Sequence, residues 1–466
     1  MTKEQSVQPN KKNVRAIALD IILQVMEEGG YCDRVLHRVL DKEYSLSKQE
    51  RAFLTRLVEG TIERCIQIDY ILNQFSKTPV IKMKPVIRGI LRMAVYQFYY
   101  MDNVPDSAAC NEAVKLVNKR HLHGLRGFVN GVLRSVLRGR DAIHYPDKSD
   151  FISYASIKYS MPEWIVEYFM EEYSVEQTEE IFQGFYKKNH SVTVRCNLHL
   201  KSSCNNSEET VRQIRQSLES QGVQVCEGRM FPYALRLQNF DRLMDLTPFR
   251  EGRLQVQNES SMVVGAVSGI CPGQEVLDVC AAPGGKSLHA ADLLENSGVV
   301  LSCDLSESKV RLIQENMERA GVEHCELYRQ DARILRKDWI DSVDVVIADL
   351  PCSGLGVIGG KCDIKYHTMQ EDIEELASLQ RDILRVVSRY VRPGGVLLYS
   401  TCTITREENI DNVEWIRDTL PFEPISIEEY LPETLRGGTG DKGYLQILPG
   451  DGADGFFVAK FQRKGI

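Results

Sequence analysis

The first 140 residues carry apolar side chains at three- and four-residue steps, which is the spacing of one buried helical face. Ala16, Leu19, Ile22 and Met26 follow this spacing, and the run ends at the glycines of residues 29 and 30. The same spacing predicts helices over residues 49–71, 85–99, 107–119 and 125–137. Residues 13–140 are therefore predicted to form an all-α bundle, preceded by a polar tail, residues 1–12.

The pattern changes after residues 141–150, a polar stretch with one proline that is predicted to be a linker. Helical spacing continues at residues 162–173 and 175–186, and residues 191–196 are the first with the composition of a strand. A helix and two further strands are predicted at residues 207–221, 223–226 and 233–237. Residues 151–250 are therefore predicted to form a small α+β module.

From residue 251 short apolar strands alternate with helices, which indicates a Rossmann-like α/β sheet. Strands are predicted at residues 254–257, 275–277, 299–304, 325–331, 343–349 and 396–402, with a terminal pair at 444–448 and 455–460. Helices are predicted at residues 288–294, 307–320 and 369–391, the last of them ending at Pro393-Gly394-Gly395. The chain is thus predicted to be multidomain, with an α/β domain over residues 251–466.

Charge is divided unevenly along the chain. Residues 1–140 contain 23 Lys and Arg against 14 Asp and Glu, although the whole chain has a net charge of −8. A basic front on an acidic body favours a polyanionic partner, and a merely solvated helix face is the alternative. The basic side chains predicted to contact such a partner are Lys82, Lys84, Arg88, Arg92, Arg134 and Arg138.

The sequence also bears on the cellular compartment. It contains no apolar run approaching the ~20 residues that a membrane span requires, and its start has no apolar signal core. Its 13 cysteines are an odd number without any C-x-x-C pair, which argues against a disulfide framework and against a zinc ribbon. A cytoplasmic protein with reduced thiols and no bound metal is the prediction.

The most specific stretch is D-V-C-A-A-P-G-G-K-S, residues 278–287, between a predicted strand and a predicted helix. Its two glycines allow the backbone to approach a ligand, and the helix N-terminus directs free amides at that ligand. The stretch is neither G-x-G-x-x-G nor a phosphate loop. A glycine turn without a ligand is the alternative for such a loop taken alone.

Acidic residues lie at the ends of the predicted strands, where an open α/β sheet binds its ligand. Asp278, Asp304, Asp331 and Asp349 end the first four strands of the sheet. Asp304 is placed to hold the ribose hydroxyls of an adenosine, and Asp331 to accept a hydrogen bond from the adenine amino group. Any one of these aspartates alone could equally be a helix cap.

Two cysteines also lie at the ends of predicted strands. Cys352 of D-L-P-C-S-G and Cys402 of S-T-C-T follow the fourth and fifth strands, and adjacent strands lie only ~5 Å apart. Such thiols suit methylation of carbon 5 of cytosine: a thiolate adds to carbon 6, and the resulting enamine can attack a sulfonium methyl. A carboxyl group such as Asp349 can hydrogen-bond the base edge. Spacing alone does not rank the two cysteines.

These motifs resemble those of the RNA cytosine-5 methyltransferases, over about residues 250–466. The full chain is similar to the bacterial ribosomal-RNA branch, the RsmB (Sun/Fmu) type, whose N-terminal domain is NusB-like and binds RNA. Ser287 and Leu350 depart from the commoner Thr and Ala, but they keep a hydroxyl and an apolar side chain.

The resemblance implies roles for individual residues. It implies Cys402 as the nucleophile, Cys352 in product release, and a part for Asp349 in catalysis. It implies S-adenosylmethionine as the cofactor, held by Cys280, Ala281, Ala282, Pro283, Gly284, Gly285, Lys286, Asp304, Asp331 and Asp349.

The resemblance also implies the substrate: one cytosine of 16S ribosomal RNA, methylated by a monomer before the small subunit is fully assembled. The middle module, residues 151–250, would position this RNA. Two alternatives remain open: the same chemistry on transfer RNA, and an RNA-binding assembly or antitermination factor whose sheet has lost activity.

Overall fold

The computed structural model describes residues 13–187, 191–200, 206–295, 297–450 and 453–465. The predicted tail, residues 1–12, lies outside the described residues. The chain forms two compact units, one with the residues up to Glu179 and the segment Lys361–Thr368, and the other with Glu180–Gly360 and the residues from Met369 onward. Neither the predicted linker, residues 141–150, nor the predicted boundary at residue 250 coincides with this division.

The first unit is helical, as predicted. Its helices, the last of which continues into the second unit, are α1 (Val14–Met26), α2 (Cys32–Lys42), α3 (Lys48–Glu63), α4 (Cys65–Phe75), α5 (Pro85–Tyr100), α6 (Asp106–Lys119), α7 (Arg126–Arg138), α8 (Phe151–Lys158), α9 (Glu163–Glu172) and α10 (Val175–Tyr186). The apolar faces of α1–α7 share one core, which buries Leu19, Leu54 and Leu91 completely. The sequence pattern does not predict α2 or α8.

A segment from late in the chain, Lys361–Thr368, is part of this helical unit. The Lys365 side chain is buried, and its ammonium donates hydrogen bonds to the carbonyl oxygens of Glu63 at 2.8 Å and Ser160 at 2.6 Å. Burial lowers the pKa of Lys365 to about 8. Because both acceptors are backbone atoms of the helical unit, Lys365 fastens the segment to it.

The same contacts divide a helix that the sequence predicts as continuous, residues 49–71. The helix is interrupted at Arg64. There the Lys365 ammonium donates to the carbonyl of Glu63, the last residue of α3, and the Ser160 hydroxyl accepts from the amide of Ile66 at 3.0 Å. These partners satisfy backbone groups that an uninterrupted helix would pair internally. The hydrophobic spacing within residues 49–71 does not predict these partners, because they lie 94 or more residues away in the chain.

The second unit contains two sheets. The smaller has four antiparallel strands in the order β2-β3-β1-β4, namely β1 (Val192–Cys196), β2 (Gln224–Glu227), β3 (Ala234–Gln238) and β4 (Leu254–Val256). Helices α11 (Ser207–Ser220) and α12 (Thr247–Arg250) share its apolar core. β4 belongs to this sheet, so the α+β module extends beyond the predicted boundary at residue 250.

The larger sheet has eight strands in the order β10-β12-β9-β8-β5-β6-β7, with β11 paired to β12. They are β5 (Glu275–Asp278), β6 (Val299–Asp304), β7 (Cys325–Arg329), β8 (Val343–Asp349), β9 (Val391–Thr401), β10 (Phe422–Pro424), β11 (Tyr444–Ile447) and β12 (Phe456–Arg463). Strands β5 to β9 are parallel and β12 is antiparallel to β9. The predicted α/β class is confirmed, and the strand order reverses at β5, between β6 and β8.

Helices accompany the strands of this sheet. In chain order they are α13 (Glu259–Ser268), α14 (Gly285–Leu293), α15 (Glu307–Ala320), α17 (Gln370–Val387) and α18 (Ile410–Thr419), while α16 (Ile364–His367) lies in the segment of the helical unit. The described helices include none that is long and apolar enough to cross a membrane.

One predicted boundary is wrong. The helix predicted over residues 369–391 ends at Val387, and Pro393-Gly394-Gly395 lies inside β9. Val391 pairs with Val343 but Val396 pairs with Val345, so the residues between them bulge from the strand pair. A Pro-Gly-Gly run suits a bulge as well as a helix end, and the sequence alone does not separate the two.

Candidate active site

The predicted strand-end residues converge at one edge of the large sheet. Asp278, Asp304 and Asp349 are the last residues of β5, β6 and β8, and Cys402 directly follows β9. Asp331 lies two residues beyond the end of β7. Since these five strands are parallel and the order reverses at β5, this edge is where an α/β sheet binds its ligand.

The glycine turn joins β5 to α14 at the centre of this edge. The amide of Ala281 donates to the Cys303 carbonyl at 2.8 Å, which fixes the turn against β6. Gly284 has φ +104°, a conformation that favours glycine, and it directly precedes the first residue of α14. Among the described residues, no side chain forms a capping hydrogen bond at the N-terminus of α14, so its first amides stay available to a ligand.

The Asp304 carboxylate is held in place by backbone donors. The amides of Ala282 and Leu305 donate to it at 3.1 and 2.7 Å, and the Lys309 ammonium lies 2.9 Å from one oxygen. A buried carboxylate fixed in this way presents a defined acceptor to a ligand at the turn.

The carboxylate of Asp331 pairs with Arg333 at 2.7 Å. The hydrogen bonds from the Arg333 side chain and backbone lower the pKa of Asp331, so it remains an ionised acceptor at neutral pH.

Two apolar side chains at this edge are missing from the sequence prediction. Leu305 directly follows Asp304 and is 59% exposed, and Ile334 lies three residues after Asp331 and is 63% exposed. Exposed apolar groups beside polar acceptors are typical of a site for a flat, partly apolar ligand. For Leu305 the sequence signal was its position directly after the strand-end Asp304.

Lys286 and Asp349 form an ion pair beside the thiols. The Lys286 ammonium lies 2.6 Å from one Asp349 oxygen, and the Ser400 hydroxyl donates to the other at 2.8 Å. Burial alone would lower the pKa of Lys286, but the charge and hydrogen bond of Asp349 raise it. Lys286 therefore keeps its charge at neutral pH, and the Asp349 side chain that it contacts is partly exposed.

Cys352 and Cys402 lie together at this edge. Their sulfur atoms lie 3.3 Å apart, although 50 residues separate them in the chain. The hydrogen bond with Cys402, together with burial, raises the pKa of the Cys352 thiol well above its usual value. A thiolate on Cys352 is therefore disfavoured while its sulfur contacts that of Cys402.

The sequence also did not predict a buried polar network behind the thiols. It joins Glu408 and Gln380 to the backbone on both sides of Cys352. The E-E-N run shortly after Cys402 contained the acidic residue, but no local pattern shows that it is buried and bonded to another loop.

The buried Asp278 gives a pH-dependent prediction. It accepts from the Ser287 hydroxyl at 2.6 Å, and its other oxygen has no hydrogen-bond partner among the described residues. Burial raises the pKa of Asp278 to about 7, although the Ser287 hydrogen bond lowers it. The folded protein therefore holds this proton where the unfolded chain, with a pKa of about 4, has lost it.

The stability that this proton contributes is fully present below about pH 4 and is lost as pH rises through about 7. Asp278→Asn does not titrate, so we expect its melting temperature, relative to that of the natural chain, to rise between pH 5 and pH 8. Thermal unfolding across this range measures the difference, with Asp102→Asn, at an exposed site, as control. A difference that stays constant with pH would contradict the assignment.

The basic side chains of the helical unit fall into two groups. Lys82, Lys84, Arg134 and Arg138 are exposed. The prediction for Arg92 is wrong, because this side chain is buried and forms two hydrogen bonds with Asp69, at 2.8 and 2.6 Å. Arg88 is largely buried as well.

The Arg88 side chain pairs with Glu27. We therefore retain only the four exposed cations as candidates for phosphate contacts.

Comparison with known proteins shows the family of this chain. A profile described as 16S rRNA methyltransferase RsmB/F matches residues 270–462, and one described as NusB family matches residues 12–138. A probable ribosomal RNA small subunit methyltransferase B of Bacillus subtilis is 36% identical over 98% of this chain and 100% of its own length. The chain belongs to the RsmB/F family of 16S rRNA methyltransferases.

Three further proteins are similar to this chain over all or part of its length. A protein of the same description from Synechocystis is 30% identical over 97% of this chain and 99% of its own. The crystal structure of PH0851 aligns with 99% of this chain and 100% of its own at a TM-score of 0.80 and 24% identity. NSun6 from Pyrococcus horikoshii with SFG aligns with 65% of this chain and 98% of its own, at a TM-score of 0.56 and 22% identity. These two structures support the fold.

Family membership confirms the NusB-like and Rossmann-like parts and makes S-adenosylmethionine the cofactor. The residues of the site fit this cofactor. The turn at Gly284 leaves the backbone accessible, Asp304 offers oriented acceptor oxygens, and Leu305 and Ile334 expose apolar surface beside them.

Proposed function

We propose that this family member methylates carbon 5 of a cytosine in 16S ribosomal RNA through a covalent adduct between Cys402 and the base. The observation that carries the proposal is the pair of sulfur atoms 3.3 Å apart at the strand ends, next to the Lys286–Asp349 ion pair. Transfer to an amino group requires no thiol, whereas carbon 5 of cytosine becomes nucleophilic only after a thiolate adds to carbon 6.

Asp349 and Lys286 would orient the base. The Asp349 carboxylate can accept from the cytosine amino group and from a protonated ring nitrogen 3, which favours the electron shift that follows attack at carbon 6. Lys286 and Ser400 fix this carboxylate from two sides, so it is positioned before the base arrives.

Cys352 would act at the end of the reaction. A water molecule takes the carbon-5 proton, the electrons of that C–H bond form the C5=C6 double bond, and the sulfur–C6 electron pair returns to Cys402. The Cys352 thiol, which keeps its proton, can donate a hydrogen bond to the Cys402 sulfur as negative charge returns to it. Release of the methylated base is then faster than from an unaided sulfur.

The cofactor would be held by the turn from Cys280 to Lys286, by Asp304 and Asp331, and by Asp349 beside them. Leu305 and Ile334 would cover the apolar faces of its base. When bound, S-adenosylmethionine supplies an electrophilic methyl group on a positively charged sulfur.

The RNA would contact both units. In the helical unit the exposed Lys82, Lys84, Arg134 and Arg138 would meet phosphates. The second unit contains a cavity of about 470 Å³, whose lining includes Lys187, Arg236 and Val256 and also Gly359 of the loop that follows Cys352. We assign to this cavity the nucleotides that flank the target base, because cations and an exposed apolar side chain suit phosphate and base.

This assignment predicts a specific loss of RNA affinity. Arg236→Gln removes one charge from the cavity, so we expect the KM for RNA to rise about three- to tenfold with kcat unchanged, and the salt dependence of binding to weaken by about one phosphate contact. Steady-state kinetics at several salt concentrations test this. Arg250→Gln, at an exposed site outside the cavity lining, is the control, and equal KM values for both variants would contradict the assignment.

The substrate would be 16S RNA before complete subunit assembly, since the target base must leave its stack to reach the thiols. A cytoplasmic monomer is the corresponding proposal for the protein.

Transfer of labelled methyl groups to protein-free 16S RNA and to transfer RNA, followed by nucleoside analysis, tests the function. We expect 5-methylcytidine in 16S RNA alone. Labelling of transfer RNA alone would support the other substrate, and cofactor binding without transfer to either RNA would support a non-enzymatic factor.

A further inference from the structure

Glu408 is a completely buried acidic residue six positions after Cys402, in the connection between β9 and α18. A carboxylate at such a site is costly unless donors satisfy it. Three donors do so: the Ser353 amide at 3.0 Å and the Gln380 side chain at 2.9 Å to one oxygen, and the Thr405 hydroxyl at 2.9 Å to the other. These donors come from three separate stretches of the chain.

The same donors fix the backbone on both sides of Cys352. Ser353, directly after it, is held by Glu408, and the carbonyl of Pro351, directly before it, accepts from Gln380 at 2.9 Å. Gln380 donates to Glu408 and Pro351 with one nitrogen, so the two side chains act as one clamp.

Gln380 is itself held in position. Its carbonyl oxygen accepts from the Tyr399 hydroxyl at 2.9 Å and from the Asn412 amide at 2.8 Å. A second link between the two cysteine loops runs beside the clamp, because the hydroxyls of Ser353 and Thr403 lie 2.7 Å apart.

The two cysteines differ in how they are supported. Cys402 directly follows β9, a strand paired on both sides within the sheet. Cys352 lies in the loop after β8, where no described strand or helix includes it, so its position depends on the contacts of its neighbours. Loss of the clamp should therefore displace Cys352 and leave Cys402 in place.

We propose that Glu408 is a positioning residue, which holds Cys352 close enough to the Cys402 sulfur to assist release of the methylated base. This proposal rests on the function proposed above. The attack and methyl-transfer steps require Cys402 and the cofactor, so they should tolerate the loss of Glu408. Release, which requires the 3.3 Å sulfur–sulfur approach, should not.

Glu408→Ala and Glu408→Gln test the proposal with methyl transfer to 16S RNA. The alanine removes the acceptor of all three hydrogen bonds, so we expect the covalent protein–RNA species to accumulate and multiple turnover to slow by about ten- to a hundredfold. The first turnover should stay within about threefold of the natural enzyme. Glutamine keeps an oxygen for Ser353 and Gln380 and can donate to Thr405, so turnover within about threefold and no accumulation are expected.

Three results would overturn the proposal. Glu408→Ala that turns over like the natural enzyme shows that the clamp is dispensable. Slow first turnover without adduct shows that Glu408 serves the fold or Cys402. Glu408→Gln as defective as Glu408→Ala shows that the charge, rather than the hydrogen-bond geometry, is required.

Two further variants guard against misfolding of Glu408→Ala. Glu408→Asp keeps the charge but withdraws the oxygens by one methylene, so it should also accumulate adduct, and behaviour like the natural enzyme would count against positioning. In the Cys352→Ala background, Glu408→Ala should not slow release further, because the group that it positions is already gone. An additional slowing would contradict action through Cys352.

The same assay separates the two proposals. If Cys352→Ala forms adduct but Glu408→Ala and Glu408→Asp do not, the inference about Glu408 fails alone. If no variant and no natural enzyme ever forms adduct, the proposed function fails.

Discussion

Cys402→Ala is expected to lower methyl transfer to 16S RNA by at least about a thousandfold. Without the sulfur no adduct forms at carbon 6, and carbon 5 keeps its aromatic electrons. The choice of Cys402 follows the resemblance to the RNA cytosine-5 methyltransferases, and the raised pKa of Cys352, caused by its hydrogen bond with Cys402 and by burial, disfavours a thiolate on the other sulfur. Single-turnover transfer of labelled methyl groups measures the loss.

A matched control separates the loss of Cys402 from the loss of any other cysteine. Cys271 is exposed and lies outside the strand-end edge, so Cys271→Ala should keep full activity. Cofactor binding by Cys402→Ala should also be retained, since Cys402 is not among the residues proposed to hold the cofactor. A Cys402→Ala enzyme that still methylates the RNA would show that the nucleophile is another group.

Cys352→Ala is expected to behave in the opposite way and to accumulate a covalent protein–RNA species. Attack and methyl transfer remain possible, but the donor that stabilises the returning charge on Cys402 is missing. We expect release to slow by about a hundredfold or more, which is the range for removing one donor to a developing anion. Denaturing electrophoresis with labelled RNA detects the species.

The release defect also has a clear control. The double variant Cys352→Ala/Cys402→Ala should form no adduct, because the species requires the Cys402 sulfur. If Cys352→Ala is inert and Cys402→Ala accumulates adduct, the roles of the two cysteines are reversed.

Much of the site could be predicted because its signals are local. A strand followed at once by an aspartate or a cysteine is readable in the sequence, and the parallel topology then brings such ends together. The structure places Asp278, Asp304, Asp349 and Cys402 as the strand pattern predicted.

Residues whose role depends on distant partners could not be predicted. Arg92 lies four residues after Arg88, which predicts one exposed basic face. Its side chain is instead buried in the helical unit, where it donates to Asp69, 23 residues earlier in the chain. Glu408 resembles an ordinary polar loop residue until Ser353, 55 residues earlier, is seen to donate to it.

The same reason explains the differences in the fold. The helix break at Arg64 is stabilised by Lys365, about 300 residues later in the chain, and by Ser160. Hydrophobic spacing reports which face of a segment is buried, but not which distant group will satisfy its backbone at a break.

The most direct test of the covalent mechanism uses 16S RNA in which 5-fluorocytosine replaces cytosine. Fluorine cannot leave carbon 5 as a proton, so after attack and methyl transfer the double bond cannot re-form and the base stays on the enzyme. We predict that the natural enzyme with S-adenosylmethionine forms a stable protein–RNA adduct, that mass spectrometry places it on Cys402, and that Cys402→Ala forms none. An adduct on Cys352, or methylation of ordinary 16S RNA with no trapped species on the fluorinated RNA, would contradict the mechanism.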